Sequence, residues 1–425
     1  MKVCVAGLWH LGTVTAACLA SGGHDVVAWD ANAETVERLS RNAPPVSEPG
    51  LAELVTRGAA AGRLRFTIDP AEALRDAEIV WIAYDTPVDD DDNADVDFVL
   101  RSVESLFPHV ADGALVLISS QVPVGSTRAL EQRAAGRTIP FGYSPENLLL
   151  GKAIEAFTKP DRVVAGVRNE RDRARVAALL APFTNRIEWM TVESAEMTKH
   201  ALNAFLATSV AFINEIATIC EKVGADAKDV ERGLKSEPRI GAKAYLGPGG
   251  AFAGGTLARD LVFLSTLGRE HGVPTNLISG VKASNDAHRG WASRRLRDLL
   301  GELAGVRIAV WGLTYKPGTD TLRRSAAIEL CRWLAGQGAR VAAHDPAVKS
   351  IDLAGVELCD DPLDAVNRAS ALVVMTEWPD YRNIDGEAIA NALAGKRVVL
   401  DANRFLGKQL ADHPRVVYAT VGKAV

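Results

Sequence analysis

The chain has 425 residues, and its 48 lysines and arginines against 53 aspartates and glutamates give a formal net charge of −5. Hydrophobic residues make up 48% and charged residues 24%, which is typical of a globular protein, and no basic patch indicates a nucleic-acid partner. No uninterrupted apolar run reaches the roughly 18 residues of a membrane span, and the first residues show no secretory signal. The five cysteines form no paired motif. We therefore expect a cytoplasmic protein without a membrane segment or a disulfide framework.

The first 190 residues alternate short apolar strands with helical stretches. Strands are predicted at 3–6, 26–29, 79–83, 115–119 and 163–167, and a helix of small residues at 13–21. Alternation of this kind is typical of a parallel sheet covered by helices. The acidic stretch 89–97 lacks the glycine and the final glutamate of a calcium loop. We interpret it as a solvated loop that ends in a helix N-cap, and we predict no metal site.

The pattern changes near residue 191. From 192 to about 222 apolar residues recur at helical spacing, a stretch rich in glycine and proline follows at 241–255, and helix resumes to about 300. Strands are again predicted at 306–311, 340–343, 372–376 and 397–400. The predicted fold class is therefore α/β, with two Rossmann-like doubly wound domains, 1–190 and 301–425, joined by a central helical segment, 191–300.

The turn between the first strand and the first helix has the context of a dinucleotide fingerprint, because Asp30 ends the next strand about twenty residues later. A helix start binds a pyrophosphate, and Asp30 favours NAD over NADP because a carboxylate accepts from ribose hydroxyls and repels a 2′-phosphate. Trp9 stands where the fingerprint has its middle glycine, and we interpret His10 as a loop residue rather than a catalyst. A strand, turn and helix that bind no nucleotide are the alternative. The predicted cofactor residues of this turn are Gly7, Leu8, Trp9, His10, Leu11 and Gly12.

Lys199 and Asn203 are four residues apart on the predicted central helix, with Asn214 further along the same face. A cation and an amide aligned in this way can hold an oxygen that becomes negative during a reaction. Beyond the glycine-rich stretch, Thr256 and Asp260 share a face if a helix begins there, and Asp260 would suit a base or an anchor for a lysine. A solvated helix face and a hinge capped by Thr256 are the alternatives.

These motifs resemble, in the same order, the sequence pattern of the nucleotide-sugar dehydrogenases, the superfamily of UDP-glucose 6-dehydrogenase and GDP-mannose dehydrogenase. The resemblance runs through nearly the whole chain. The further segments that carry it are Ser47-Glu48-Pro49-Gly50-Leu51, Asp85-Thr86-Pro87, 119–127 (SSQVPVGST), Tyr143-Ser144-Pro145-Glu146, Arg239-Ile240-Gly241, the glycine loop, 312–325 (GLTYKPGTDTLRRS), Asp345-Pro346 and Thr376-Glu377-Trp378.

The resemblance implies an enzyme in which NAD oxidises the C6 hydroxyl of a UDP-hexose twice, to the carboxylate. It implies that Lys199 and Asn203 steady the oxygen at C6, that Asp260 exchanges a proton with Lys199, and that Glu146 assists the water that hydrolyses an acyl intermediate. It also implies a homodimer built by the central segment. The further residues to which it assigns a role are Thr86, Pro87, Ser120 and Thr127 for the cofactor, and Tyr245, Gly249, Phe252, Gly254, Gly255, Lys316 and Arg323 for the substrate.

One departure from the family pattern bears on the reaction. The cysteine nucleophile of the glycine loop is Thr256 here, and the lysine before the aspartate is Arg259. A cysteine near a helix start is readily made a thiolate, whereas a threonine needs a dedicated base. Gln121 and Leu150 are further departures from the family's threonine and glutamate.

Four hypotheses about the reaction remain open. The first is full oxidation to the uronic acid, with Thr256 or a hydrated aldehyde replacing the cysteine route. The second is a two-electron dehydrogenase that stops at the C6 aldehyde or acts at another sugar hydroxyl. The third is a catalytically silent subunit that binds a sugar nucleotide. The fourth is a 3-hydroxyacid dehydrogenase, against which the second α/β domain argues.

Overall fold

The computed structural model describes residues 1–46, 48–89, 94–146, 148, 151–253 and 255–425. The chain folds into two compact units, Met1–Leu202 and Asn203–Val425. The boundary lies inside one long helix, so the central helical segment is divided between the units. The division into domains 1–190, 191–300 and 301–425 stays a prediction.

The first unit is built on a sheet that has eight strands within the described ranges, in the order β3-β2-β1-β4-β5-β6-β7-β8. All neighbouring strands are parallel except β6 and β7. Its strands are β1 (Lys2–Ala6), β2 (Asp25–Trp29), β3 (Leu64–Thr67), β4 (Ile79–Ile82), β5 (Leu115–Ile118), β6 (Phe141–Tyr143), β7 (Val163–Val167) and β8 (Ile187–Met190). Its helices are α1 (His10–Ser21), α2 (Ala33–Ser40), α3 (Leu51–Ala60), α4 (Pro70–Leu74), α5 (Val96–Leu106), α6 (Ser126–Arg133), α7 (Ala153–Thr158), α8 (Glu170–Leu180) and α9 (Val192–Val223), which continues into the second unit.

The central strands of this sheet are apolar because helices cover both faces. Every residue of β4 and β5 is buried, as expected for a parallel sheet packed on both sides. Helix α1 is buried from Leu11 to Ala20, which explains its small residues. Ala6 pairs with Trp29 on one side and with Ile82 on the other, so β1, β2 and β4 end at one edge of the sheet.

The second unit contains a six-stranded, fully parallel sheet in the order β11-β10-β9-β12-β13-β14, counted over the part of the chain that the structure describes. Its strands are β9 (Arg307–Trp311), β10 (Arg340–His344), β11 (Val356–Leu358), β12 (Ala371–Val374), β13 (Val398–Asp401) and β14 (Val417–Ala419). Its helices beyond α9 are α10 (Ala227–Ser236), α11 (Thr256–Glu270), α12 (Asn276–Arg289), α13 (Trp291–Leu300), α14 (Ala326–Gly336), α15 (Pro362–Val366), α16 (Gly386–Ala392) and α17 (Gly407–Leu410).

The predicted fold class of two Rossmann-like sheets and a helical segment is confirmed. Both sheets reverse their strand order beside the first strand, at β1–β4 and at β9–β12, and such a point is where α/β proteins bind ligands. The sequence reasoning did not predict β3, β6, β8, β11 and β14. β3 and β8 are edge strands that expose a charged residue in their interior, Arg65 and Glu188, so they carry no continuous apolar run.

Helix α9 is, among the helices in the described ranges, the one long and apolar enough to cross a membrane by length and composition. Half of its most apolar 18-residue stretch is buried in the protein, and the core helix of a protein outside a membrane passes the same test.

A buried hydroxyl on α1 provides a test of the packing. Thr15 is fully buried, and its hydroxyl has no hydrogen-bond partner among the described residues. Thr15→Val puts a methyl group in its place, so we expect the free energy of unfolding, measured by urea titration, to stay level or to rise by about 1 kcal/mol.

Thr13→Val is the matched control on the same helix. The Thr13 hydroxyl donates to the Leu8 carbonyl oxygen at 3.0 Å, so its loss leaves a buried acceptor unpaired and should lower the free energy of unfolding by about 1–3 kcal/mol. A similar loss in Thr15→Val would contradict the assignment of an unpaired hydroxyl.

Candidate active site

The turn after β1 brings two parts of the backbone so close that both flanking glycines are required. A Cβ atom on Gly12 would lie 1.6 Å from the Gly7 carbonyl oxygen, and one on Gly7 would lie 2.9 Å from the Tyr84 backbone nitrogen. Gly7 also has a φ of +91°, which L side chains rarely adopt. The turn leads into the first N–H groups of α1, which is the geometry of an anion site.

Trp9 is the N-cap residue of α1, with φ −79°. Any residue adopts this conformation, so the absence of the middle glycine strains nothing in the backbone itself. The indole is 53% exposed and has no acceptor with which to cap the helix. In the fingerprint, the glycine at this position lets the backbone approach a bound pyrophosphate.

One aspartate follows the second strand of each sheet, and the two differ in how many further hydrogen bonds their carboxylates can accept from a ligand. Asp30 is half-buried and accepts the amides of Leu8 at 2.7 Å and Asn32 at 2.8 Å. Asp345 is buried, and its carboxylate is enclosed by more donors, the amides of Leu313, Thr314 and Ala347 and the Trp378 indole N–H. Asp30 therefore retains acceptor capacity for a ribose, and the dinucleotide site belongs to the first sheet.

The other residues predicted to bind the cofactor are largely buried. The Thr86 hydroxyl donates to the Gln121 carbonyl oxygen at 2.6 Å, Pro87 is exposed, and Ser120 is fully buried. The Thr127 hydroxyl and amide donate to Glu196 at 2.7 and 2.9 Å. The contacts of Thr127 hold α6 in place, and the role of these residues toward a cofactor stays a prediction.

Glu196 caps α6 from helix α9. Its carboxylate accepts the Gly125 and Thr127 amides at the start of α6, where Gly125 has no side chain of its own to cap the helix. Burial raises the pKa of the Glu196 carboxyl, and the three donors only partly offset that effect. Sequence reasoning missed this residue because its partners lie about seventy positions away.

Lys199 lies one turn further along α9, in the first unit. Its buried ammonium donates to the Glu146 carbonyl oxygen at 2.6 Å and lies 3.9 Å from the Glu146 carboxylate. The neighbouring His200 ring nitrogen Nε2 pairs with the Val122 carbonyl oxygen at 2.9 Å. The structure thus brings together two residues, Lys199 and Glu146, to which the family pattern assigns chemistry.

Asn203 and Asp260 meet in the second unit. The Asn203 amide donates to the fully buried Asp260 carboxylate, which sits in the second turn of α11. Thr256 is the first residue of that helix and is exposed, and Gly255 before it has a φ of +103°. Gly254, Ser47 and Leu150 lie outside the described residues, as does part of the acidic stretch, 90–93.

The glycine loop is held on both sides by side chains of the second unit. Asn214 accepts the Gly249 amide at 3.0 Å. Asn285 accepts from the Phe252 amide and donates to its carbonyl oxygen, each at 2.9 Å.

Two further residues complete this support. Asn403 accepts the Gly250 amide at 2.8 Å, and the ring of His288 pairs with the Gly249 carbonyl oxygen at 2.8 Å. Burial lowers the pKa of His288, which favours its neutral form. Asn285, His288 and Asn403 carry no local sequence signal, and sequence reasoning missed them.

No thiol is available to replace the missing cysteine among the described residues. Burial raises the pKa of the Cys4, Cys18 and Cys331 thiols to about 12, and the pKa of Cys359 is shifted upward for the same leading reason. Cys220 is buried in the core. Thiols with raised pKa values are poor nucleophiles near neutral pH.

A cavity of about 180 Å³ lies at the carboxyl edge of the second sheet. Its lining includes the glycine loop, the ends of β12 and β13, and the start of α14, where Ser325 caps the helix. Two guanidinium groups, of Arg289 and Arg324, suit an anionic group such as a diphosphate. Arg324 lines the cavity, whereas Arg323 is exposed and Lys316 half-buried, and the role of Lys316 and Arg323 toward a substrate stays a prediction. Tyr245 is largely exposed.

Comparison with known proteins shows the family to which the chain belongs. The chain matches the models of the UDP-glucose/GDP-mannose dehydrogenase family for the NAD binding domain over residues 1–184, the central domain over 193–287 and the UDP binding domain over 309–408. The chain belongs to the UDP-glucose/GDP-mannose dehydrogenase family. It is an NAD-dependent nucleotide-sugar dehydrogenase, and family membership decides against the 3-hydroxyacid dehydrogenase alternative.

Individual relatives cover nearly the whole chain. It is 34% identical to the UDP-glucose 6-dehydrogenase of Pseudomonas aeruginosa, over 97% of this chain and 95% of that one, and 34% identical to that of Rhizobium meliloti, over 100% of both. The solved UDP-glucose dehydrogenase of the archaeon Pyrobaculum islandicum superposes with a TM-score of 0.86 at 31% identity, over 100% of this chain and 98% of that one.

The turn fits NAD, and Asp30 provides the test. Asp30→Ala removes the ribose acceptor, so we expect the Kd for NAD, measured by calorimetry, to rise by about tenfold to a hundredfold and the preference for NAD over NADP to shrink. Asp25→Ala, at the other end of β2, is the control and should leave the Kd unchanged. Equal NAD affinity in Asp30→Ala and the parent chain would refute the ribose assignment.

Proposed function

We propose that this dehydrogenase oxidises UDP-glucose at C6 and stops at the aldehyde. One combination of residues carries the proposal. The chain keeps Lys199, Asn203 and Asp260, which suit the first oxidation, but has Thr256 exposed at the start of α11 in place of the cysteine needed for the second. The substrate is inferred from relatives that match nearly the whole chain and are named UDP-glucose dehydrogenases.

The retained residues suit removal of one hydride and one proton. Bound NAD would supply the acceptor for that hydride. The Lys199 ammonium and the Asn203 amide, four residues apart on α9, are donors for the C6 oxygen as charge develops on it. Asp260, buried and bonded to the Asn203 amide, is an acceptor for the hydroxyl proton. These groups complete the conversion of an alcohol to an aldehyde.

The second oxidation needs a group that adds to the aldehyde. A thiolate forms a thiohemiacetal, from which a second hydride can leave, but the Thr256 hydroxyl is hardly ionised near neutral pH. The thiols of Cys4, Cys18 and Cys331 are buried and have raised pKa values. The reaction therefore lacks the covalent route beyond the aldehyde.

Full oxidation through the hydrated aldehyde is the second candidate. Glu146 favours it, because its carboxylate lies 3.9 Å from the Lys199 ammonium and can orient a water. In this route water adds to the aldehyde, and the resulting gem-diol loses a hydride and a proton to give the acid.

Product stoichiometry separates the candidates. With UDP-glucose and excess NAD we expect one NADH for each sugar nucleotide consumed and a product with the mass of the aldehyde or its hydrate. Two NADH and a uronate mass would favour the hydrate route, one NADH with a keto-sugar would indicate another hydroxyl, and no NADH would favour a silent subunit.

A variant of residue 256 tests the cause of the endpoint. Thr256→Cys should move the ratio from one toward two, because a thiol at a helix start ionises readily. Thr256→Ser keeps a hydroxyl and is the matched control, with an unchanged ratio. If Thr256→Cys folds, still forms the aldehyde and gives no uronate, residue 256 does not decide the endpoint.

We also propose a homodimer that pairs along α9. Phe205, Phe212 and Ile219 recur every seven residues and are 69%, 48% and 57% exposed, whereas Ala204 and Ala211 on another face pack into a cluster with Leu261. A stripe of exposed apolar side chains at this spacing is typical of a helix that pairs with another.

A charge in this stripe tests the dimer. Phe212→Lys should convert the dimer to a monomer in size-exclusion chromatography with light scattering, because a charge in an apolar interface is costly. Ile68→Lys, an exposed apolar residue of the first unit, is the control and should stay dimeric. A native monomer, or a chain recovered with membranes after cell fractionation, would contradict the proposal.

A further inference from the structure

Trp9 raises a question that the family pattern does not answer. The glycine at this position of the fingerprint lets the backbone approach the pyrophosphate, whereas the N-cap residue here carries an exposed indole. The next residue, His10, is the first residue of α1 and so lies where the N–H groups of the helix meet a bound anion.

We propose that His10, held by the carboxylate of Glu48, binds the cofactor pyrophosphate and compensates for the contact that Trp9 displaces. Glu48 is then a positioning residue that acts through His10. The proposal rests on NAD binding, which family membership shows, and is independent of the substrate and the endpoint of oxidation.

The contact between the two side chains is well shielded. His10 Nε2 lies 3.0 Å from Glu48 Oε2, and the side chains are 17% and 1% exposed. Glu48 also accepts the amides of Gly151 and Ala153, each at 2.8 Å. Burial works to raise the pKa of the Glu48 carboxyl, but these two amides and the His10 ring outweigh it, and the net pKa is lowered.

An ionised Glu48 determines how the ring is used. Because a carboxylate only accepts, Nε2 of His10 must donate to it. A ring that donates its Nε2–H to Glu48 makes a favourable contact with a phosphate oxygen only if Nδ1 donates as well, so the proposed contact places Nδ1–H toward the pyrophosphate. Such a donor adds to the attraction that the N–H groups at the helix start exert on a pyrophosphate.

A link that merely stabilises the fold is the alternative. Glu48 ties the start of α1 to the backbone that precedes and begins α7, and this would support the fold without a ligand. The two interpretations differ in one respect: only a pyrophosphate contact should depend on which side chain occupies position 9.

A double-mutant cycle on the full chain measures that dependence. The Kd for NAD is determined by calorimetry for the parent chain, His10→Gln, Trp9→Gly and the double variant. We expect His10→Gln to weaken binding by about tenfold in the parent chain, since a charged hydrogen bond is lost. In the Trp9→Gly background the same change should weaken binding by less than about threefold, because the backbone again approaches the pyrophosphate.

Fragments of the cofactor locate the contact. His10→Gln should weaken ADP-ribose, which contains the pyrophosphate, and leave adenosine, which has no phosphate, unchanged. Glu48→Gln should reproduce the effect on ADP-ribose. If Trp9→Gly fails to fold by thermal denaturation, Trp9→Ala replaces it in the cycle with the same expectation.

Three results would overturn the proposal. They are an unchanged Kd for NAD in His10→Gln, an equal loss of affinity in the parent chain and in the Trp9→Gly background, and an equal loss for ADP-ribose and adenosine. The last two would assign the His10–Glu48 pair to the stability of the fold. Because every readout is binding of the cofactor or its parts, the outcome is separate from whether UDP-glucose is the substrate.

Discussion

The position of helix α9 is fixed by one constraint, which is that polar groups removed from water must find hydrogen-bond partners inside the protein. Within about two turns it buries a carboxylate, an ammonium, an imidazole and an amide, on Glu196, Lys199, His200 and Asn203. Each has a specific partner, respectively the start of α6, the Glu146 carbonyl oxygen, the Val122 carbonyl oxygen and Asp260. A shift of the helix by one residue would leave these groups unpaired. The same contacts that hold α9 therefore also fix Lys199 and Asn203, the two residues of this helix proposed to act on the substrate.

The two sheets show how one topology serves two purposes. Both end their second strand in an aspartate, and both place the glycine turn of the first strand beside it. The Asp345 carboxylate accepts hydrogen bonds from several donors of the protein, including the Trp378 indole. The Asp30 carboxylate accepts fewer and can still accept hydrogen bonds from a ligand. The difference between a dinucleotide site and another kind of site thus comes from which neighbours occupy the carboxylate, and not from the order of the strands.

Two of the departures from the family pattern, Trp9 and Thr256, lie at exposed positions. Trp9 and Thr256 are exposed at helix starts, where a substitution changes what can bind or react without disturbing the core. Asn203 and Asp260 are buried and bonded to each other, so a change there would leave a buried polar group unpaired. Substitutions at the two exposed helix starts therefore leave the buried pair Asn203 and Asp260 in place.

The sequence by itself determined the order of the elements, the two Rossmann-like sheets and the pairing of Lys199 with Asn203 on one helix, because these depend on apolar periodicity and on residues close in the chain. Only the tertiary structure decided which distant residues form hydrogen bonds. Glu196 accepts from Thr127, Asn403 accepts from Gly250, and Glu48 pairs with His10. Their partners are 69, 153 and 38 residues apart, so no local pattern marks them. A hydrogen bond between distant residues depends on how the whole chain packs, and a pattern read along the sequence contains no information about which polar groups that packing leaves facing one another.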